Sequence, residues 1–518
     1  MMVERKRAQP LFHYRQIRLY IGLLLMLAFF CTVSMRTNLG MAMVCMVNAT
    51  AYSPSITQLN RSLESDSTKS VCPNREAVFG ENATALSEAG YKGSLLWSPS
   101  MQSALYSATF YGGFITIFFS GYLADRYGPK YMLLLAMLDY IVVTLFTPLL
   151  AEFNYYAFFV ARVIMGLGEG IMVPAMASVA GIWFPPFERS TMAAIYTSGN
   201  QLAGTFGVLI SSRLCEVEQL GGWYSIFYIF AILGLFSAGL WFVVSSNSPN
   251  TNRWISEDEK AYLNHEMAYL VAKKKIRSKV PWVALFTAPC VLASFLSQFS
   301  YNFLQTMMQS YLPTYFKDAI MVDLRSNGLY TALPFFCQLV FKNLLAVLSD
   351  RLKKAHLIHP TTACKIFQTI FTFGSAVSLI SLALFVDCTK PTLAVVLLAL
   401  TASCMASSTP GFLTSLLCIA PKYSGTMVSC SMVLGTLANI AAPNIIGGFI
   451  LKTGSPEEWA VVFYVCAGIC IFAGIVFLIF GSSVEQEWAK SSVAPVAEKR
   501  VQNVAVEEGC GQLDTVKV

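Results

Sequence analysis

Gly121-Tyr-Leu-Ala-Asp125-Arg126-Tyr-Gly128-Pro-Lys130 closes one apolar run of this chain, and Ala346-Val-Leu-Ser-Asp350-Arg351-Leu-Lys353 closes another. The two Asp-Arg pairs stand 225 residues apart. Either alone is a weak signal, because acidic-basic pairs are common at helix ends. Their weight comes from their placement. Runs of about 20 apolar residues, enough to cross a bilayer core, lie near 19–47, 101–123, 130–150, 155–183, 191–213 and 223–245. They resume near 287–316, 327–349, 362–386, 392–419, 423–451 and 459–481. Each pair therefore follows the second span of a six-span half. The pattern predicts an all-α integral membrane protein of twelve transmembrane helices in two six-helix halves.

Composition agrees. Of 518 residues only 13% are charged, against about 25% in soluble chains. Apolar types make up 55% and mean hydropathy is +0.56. In water such a chain would expose large apolar patches, and it is too hydrophobic to be disordered. Most of the 14 cysteines, among them Cys31, Cys45, Cys404 and Cys466, fall inside apolar runs. There they read as small hydrophobes, not as a disulfide framework or a zinc site.

Charge in the connections sets the predicted orientation. Arg5, Lys6, Arg7, Arg15 and Arg18 precede the first span, and Arg126 and Lys130 follow the second. Lys273, Lys274, Lys275, Arg277 and Lys279 lie in the central loop, and Arg351, Lys353 and Lys354 follow the eighth span. Alternating spans put all of these on one side, which reads as cytoplasmic, with both termini. The net charge of +7 is then topological, and no nucleic-acid partner is expected. The organisation is a cytoplasmic segment 1–18, a half 19–245, a cytoplasmic loop 246–286, a half 287–481 and a cytoplasmic tail 482–518. The long first loop, 48–98, holds three sequons, at Asn48, Asn60 and Asn82, which points to glycosylation on the opposite side. Asn48 stands close to the membrane. No cleavable signal is evident. In the central loop Ser256-Glu-Asp-Glu259 matches a capping box that starts a helix reaching about Leu270.

Taken together the paired Asp-Arg turns resemble the signature of the major facilitator superfamily. There glycines permit a tight turn, the carboxylate pairs with helix ends and Arg, and these contacts exchange as the halves rock. Gly121, Asp125, Arg126, Gly128, Asp350 and Arg351 occupy the matching positions. Further markers run through both halves: Met35-Arg36-Thr-Asn38, Arg162-Val-Ile-Met-Gly166-Leu-Gly168-Glu169-Gly170, Trp183-Phe-Pro-Pro186, Ser300-Tyr301-Asn302 and Ala420-Pro421-Lys-Tyr-Ser-Gly425. With these the chain resembles the anion/cation symporter family, solute carrier family 17. That family includes sialin, the vesicular glutamate and nucleotide transporters, and sodium–phosphate cotransporter-like members.

Ionisable groups inside the bilayer are costly and mark function by default. Arg36 can be read as a snorkelling residue or as an anion-binding cation, whose planar guanidinium suits carboxylate or phosphate. The resemblance favours the second and implies a substrate contact. Arg162 and Glu169 lie two turns apart on nearly one face. Each could be satisfied structurally by a neighbouring helix. Glu169 could instead bind and release a proton, because desolvation favours the neutral carboxyl, and the resemblance implies such coupling. Where glutamate transporters have a His in span two and an Arg in span seven, the aligned residues are Tyr106 and Tyr301. With Asn302, these are the other candidate substrate contacts. They make the chain sialin-like rather than glutamate-type, although the second Glu common in sialin-like members is Met165. Asp139 has no family counterpart and reads as an extra ion site or a contact with a polar neighbour. Lys342 reads as snorkelling to the cytoplasm. Asn302, Gln305 and Gln309 share a helical spacing that suits either the pathway or helix–helix hydrogen bonds.

All four His lie outside the spans, and no Gly-x-x-x-x-Gly-Lys loop occurs. No metal or cofactor is expected, and a membrane enzyme or a P-loop pump is disfavoured. The expected activity is secondary active transport of a small organic or inorganic anion, coupled to H⁺ or Na⁺, in a lysosomal, vesicular or plasma membrane. An anion channel and a sodium–phosphate cotransporter are the alternatives.

Overall fold

The computed structural model describes residues 13–48, 93–217, 219, 221–274, 281–355 and 358–489. Twelve long helices follow the apolar runs. The first half contains α1 (Ile17–Met46), α2 (Pro99–Tyr127), α3 (Pro129–Phe153), α4 (Tyr155–Trp183), α5 (186–216) and α6 (Trp223–Val244). The second contains α7 (Pro289–Asp318), α8 (Leu324–Lys354), α9 (Pro360–Phe385), α10 (Pro391–Ile419), α11 (424–450) and α12 (Pro456–Phe480). Nine of these are apolar enough to cross a bilayer by length and composition alone. Among the described residues α2, α5 and α7 fall outside that set; their side chains cross between the halves, as do those of α1, α8 and α11. Among the described residues the only extended pairing is a single bridge, Val47 with Leu95.

Local chemistry sets the ends of the helices. Proline stands in the first turn of α3, α7, α9, α10 and α12, where its missing N–H costs nothing. Asn154 caps α4 by accepting the Tyr156 N–H at 2.7 Å. Between α2 and α3 the turn needs Gly128, whose φ is +86° and whose added Cβ would meet Asn247 at 2.6 Å. Next to it the Lys130 ammonium donates to the carbonyls of Phe242 (2.8 Å) and Ser245 (2.7 Å), at the end of α6, where the helix dipole favours a cation. Arg126 donates to the Tyr122 hydroxyl at 2.8 Å. Gly121, Asp125 and Asp350 fall within helices, but the side chains of Asp125 and Asp350 lie outside the described set, and Arg351 is exposed. Asn60 and Asn82 also lie outside the described residues. Asn48 is part-buried just beyond α1, its N–H donating to Leu95 O at 2.9 Å.

Two features fix the first half. The helices α2 and α4 cross backbone against backbone: a Cβ on Gly112 would come within 2.0 Å of Val163 O, and one on Gly166 within 2.0 Å of Thr109 O. At one end of the bundle the central helix, Glu257–Lys274, docks on the start of α1. Ser256 accepts the Glu259 N–H at 3.2 Å, one half of the expected capping box. The Glu259 carboxylate does not return to the cap. It accepts the N–H groups of Ile17 (2.9 Å) and Arg18 (3.2 Å). Buried Arg18 lies 3.7 Å from Glu259, 3.1 Å from Glu188 of α5, and 4.8 Å over the Tyr262 ring. Burial pushes the Glu259 carboxyl up, against the pull of those N–H groups and Arg18. We call this the central-segment end and the opposite one the far end.

At the far end the reading of Cys45 as a mere hydrophobe is overturned. Cys45, in the last turn of α1, forms a disulfide with Cys215, in the last turn of α5, with Cα atoms 6.3 Å apart. The reason is positional: both apolar runs extend to the same membrane surface, so residues 170 positions apart meet. Cys31, Cys404 and Cys466 are free thiols. We expect Cys45→Ser and Cys215→Ser each to lower the thermal unfolding temperature of purified protein, because removing a native disulfide typically costs about 2–5 kcal/mol. An unchanged transition in both would show that packing alone holds the pair.

The halves also meet at the far end. Lys317 of α7 donates to Val44 O at 3.1 Å, Ser103 to Pro443 O at 2.6 Å, and Asn444 to the Tyr111 hydroxyl at 2.9 Å. Gly40 of α1 lets the α7 backbone approach, since a Cβ there would lie 3.0 Å from Gln309 O. The far end is closed in this structure.

Candidate functional site

Four of the sequence candidates converge near mid-span. Arg36, Tyr106 and Arg162 line one cavity, with Thr37 and Gly40 of α1, Phe110 of α2, and Thr306, Gln309 and Ser310 of α7. The fourth, Glu169, is joined to Arg36 in a part-buried ion pair. Its other carboxylate oxygen accepts the hydroxyl of Tyr140 from α3. The Arg36 guanidinium lies 5.2 Å over the Phe110 ring and donates across the halves to Gln309 Oε1 at 3.4 Å.

Arg162 plays a different part. It is one of the largest fully buried side chains, and among the described residues no carboxylate stands within ion-pair distance of it. Its Nη2 donates to the Arg36 backbone carbonyl at 3.1 Å, its guanidinium lies 5.9 Å over Phe158, and its Nε is unsatisfied. Arg162 thus braces the backbone of Arg36 without touching Glu169. Tyr106 packs edge-on to Tyr311 at 5.1 Å, and its hydroxyl is left without a well-formed hydrogen bond. With two guanidinium groups and one carboxylate, the cluster carries a net positive charge when all are ionised. An unsatisfied buried donor such as the Arg162 Nε is expensive.

Two candidates lie elsewhere. Tyr301 packs its ring against Phe371 (6.0 Å) and Phe412 (6.3 Å), inside the second half. Asn302 donates back to Gln298 O at 2.9 Å and lies beside Gly435. Both sit about two turns of α7 from Gln309, toward the central-segment end. Asp139 accepts the Gly168 N–H at 3.0 Å, the polar-neighbour alternative. Gln305 takes the helix–helix role, accepting from Gln338 of α8 at 3.0 Å. Gln309 faces the cavity.

Sequence reasoning passed over Tyr140, Thr306 and Asn200, whose Oδ1 accepts from Gln309 Nε2 at 3.1 Å. A signal existed for Asn200: Ser198-Gly-Asn200-Gln201 is a polar cluster inside an apolar span. Tyr140 gives none, since a Tyr in an apolar run is ordinarily packing.

Residues 25–443 match the family described as Major Facilitator Superfamily. The chain belongs to that superfamily. Within it the chain is a member of solute carrier family 17. It is 34% identical to the uncharacterized transporter slc-17.3 of Caenorhabditis elegans, over 98% of this chain and 96% of that protein. It is 30% identical to sialin of Homo sapiens, over 91% of this chain and 92% of sialin. Among solved structures it resembles the partially occluded inward-open xylose transporter XylE of E. coli, with a TM-score of 0.60 and 15% identity, covering 90% of this chain and 98% of that one. As in other major facilitator proteins, the two six-helix halves form a transporter, not an enzyme, and the predicted twelve-helix membrane fold holds.

Proposed function

We propose that this solute carrier family 17 member moves a small organic or inorganic anion by alternating access, coupled to a proton through Glu169. The observation that carries this reading is the Arg36–Glu169 pair facing a cavity that also holds Arg162. In the empty carrier Glu169 occupies Arg36 as an internal counter-ion. A substrate anion competes for the same guanidinium, and protonating Glu169 releases Arg36 to it. Proton and anion thus enter together. Tyr140 holds the carboxyl in place in either state, accepting or donating as needed. Opening the far end would require Lys317–Val44, Ser103–Pro443 and Tyr111–Asn444 to part, which makes those three contacts the outer gate.

A sodium gradient is the alternative drive. The test is full-length protein in liposomes, offered sialic acid, acidic amino acids, nucleotides, urate and inorganic phosphate under an imposed pH or sodium gradient. Uptake of at least one anion driven by pH alone is the expected result. Accumulation that follows sodium and ignores pH would replace the proton with sodium.

For orientation, the far end carries the Cys45–Cys215 disulfide, and disulfides persist in oxidising compartments. This supports placing the far end and the sequon loop on the non-cytoplasmic side, with the termini and central segment in the cytoplasm. We expect an N-glycan-removing enzyme to shift the mobility of the wild type. Mutating Asn60 and Asn82 together should abolish most of that shift. A first loop that reacts with reagents from the cytoplasm would reverse the orientation.

A further inference from the structure

One more cation sits between the halves, outside the arginine cavity. Lys342 was expected to run along α8 toward the aqueous end. Instead its ammonium crosses the interface and donates to Thr197 Oγ1 of α5 at 3.0 Å. Among the described side chains no carboxylate lies within ion-pair distance of it. A charge inside the membrane with one hydroxyl for company is under-compensated.

Lys342 ends a polar track that begins at the arginine site. Arg36 donates to Gln309 Oε1 at 3.4 Å, and Gln309 Nε2 donates to Asn200 Oδ1 at 3.1 Å. Thr197 lies three residues before Asn200, on the same face of α5. One turn from Lys342, Gln338 is 2% exposed and donates to Gln305, which is 8% exposed. The Gln338 Oε1 and the Gln305 Nε2 find no partner. Two buried amides with free polar atoms beside a cation suit a track that something polar passes through. Thr197 is 11 residues into α5 and Arg36 is 19 residues into α1. At about 1.5 Å per residue, Lys342 stands roughly 12 Å nearer the central-segment end than Arg36.

We propose that Lys342 is a second station for the transported anion, holding its carboxylate or phosphate group between the arginine cavity and the central-segment end. This rests on the anion reading above. The anion leaving Arg36 displaces the Thr197 hydroxyl from the ammonium, while the amides of Asn200 and Gln305 cover its oxygens on the way. An ammonium on a flexible stem suits a waystation better than a guanidinium fork, because it holds a group as a point charge without bidentate geometry.

The experiment is initial-rate transport by reconstituted full-length protein, with the anion added at the central-segment face. The probes are those of sialic acid, acidic amino acids, nucleotides, urate and inorganic phosphate that the wild type carries. We expect Lys342→Met to raise KM about tenfold or more, and Lys342→Arg and Thr197→Val to stay within about threefold of wild type. A wild-type KM in Lys342→Met overturns the station. So does a Thr197→Val protein that reproduces the Lys342→Met defect, since the lysine would then act only as a tie between the halves. If Lys342→Met does not reach the membrane, acylation of Lys342 in the wild type, followed by peptide mass spectrometry, decides instead. Saturating anion should slow it about fivefold or more, and an unchanged rate overturns the proposal. Arg36→Gln runs alongside. If the wild type carries none of the probes, or Arg36→Gln carries them normally, the anion reading fails. If both behave as that reading expects and Lys342→Met keeps a wild-type KM, only the second station fails.

Discussion

Replacing Arg36 with Gln should abolish nearly all transport, while Arg36→Lys keeps a measurable fraction. The guanidinium joins three partners: Glu169, the Phe110 face and Gln309. Gln cannot pair with a carboxylate as an ion, so both the proposed substrate contact and the counter-ion of Glu169 are lost. Truncating one partner of a desolvated charge pair costs about 2–5 kcal/mol, or tens- to thousands-fold in affinity. Lys restores the charge but not the fork, so it recovers attraction without geometry. The measurement is uptake per reconstituted molecule, with protein at the membrane quantified in parallel. A well-expressed Arg36→Gln protein that transports normally would remove Arg36 from the anion site.

The second large effect concerns Glu169 and separates coupling from binding. Glu169→Gln fixes the neutral form at nearly unchanged volume, and Gln can still hydrogen-bond Tyr140. Arg36 is then permanently free for the anion. Binding and substrate-for-substrate exchange should persist, because exchange needs no net proton movement, while accumulation driven by a pH gradient collapses. If the pair serves only the fold, Gln leaves Arg36 underpaired, and breaking a buried pair costs about 3–5 kcal/mol. The visible result would be loss of protein from the membrane. Two assays on one variant therefore suffice: pH-driven uptake, and exchange with no gradient. Retained pH-driven accumulation would exclude Glu169 as the proton carrier.

The fold was legible because a bilayer demands long apolar helices whatever their sequence detail, and because the Asp125-Arg126 and Asp350-Arg351 turns repeat at equivalent places. Charges at mid-span were equally legible: Arg36, Arg162 and Glu169 have few neighbours that can satisfy them, so they meet. The partners within that cluster were not. Nothing in spacing says that Glu169 takes Arg36 while Arg162 takes the Arg36 carbonyl. On α7 polar residues occur all round the helix, so no single face could be assigned to the pathway. Gln309 reaches the cavity, whereas Asn302 bonds its own helix and Tyr301 packs among aromatic rings. The Cys45–Cys215 pair was hidden because each cysteine sits in an apolar run, and only the shared membrane surface brings them together.

The backbone contact of α2 with α4 at Gly112 and Gly166 decides where this carrier can be re-engineered. Those helices supply Tyr106, Phe110, Arg162 and Glu169, and where Gly112 meets Gly166 no side chain separates them that could be trimmed or enlarged. That wall of the cavity is a fixed template, and changing either glycine would push apart the groups it presents. Thr306, Gln309 and Ser310 sit across from it on α7 of the other half, whose backbone nears α1 at Gly40 but whose side chains line the cavity and can be exchanged. A library meant to change which anion is accepted belongs at those α7 positions, with α2 and α4 left alone.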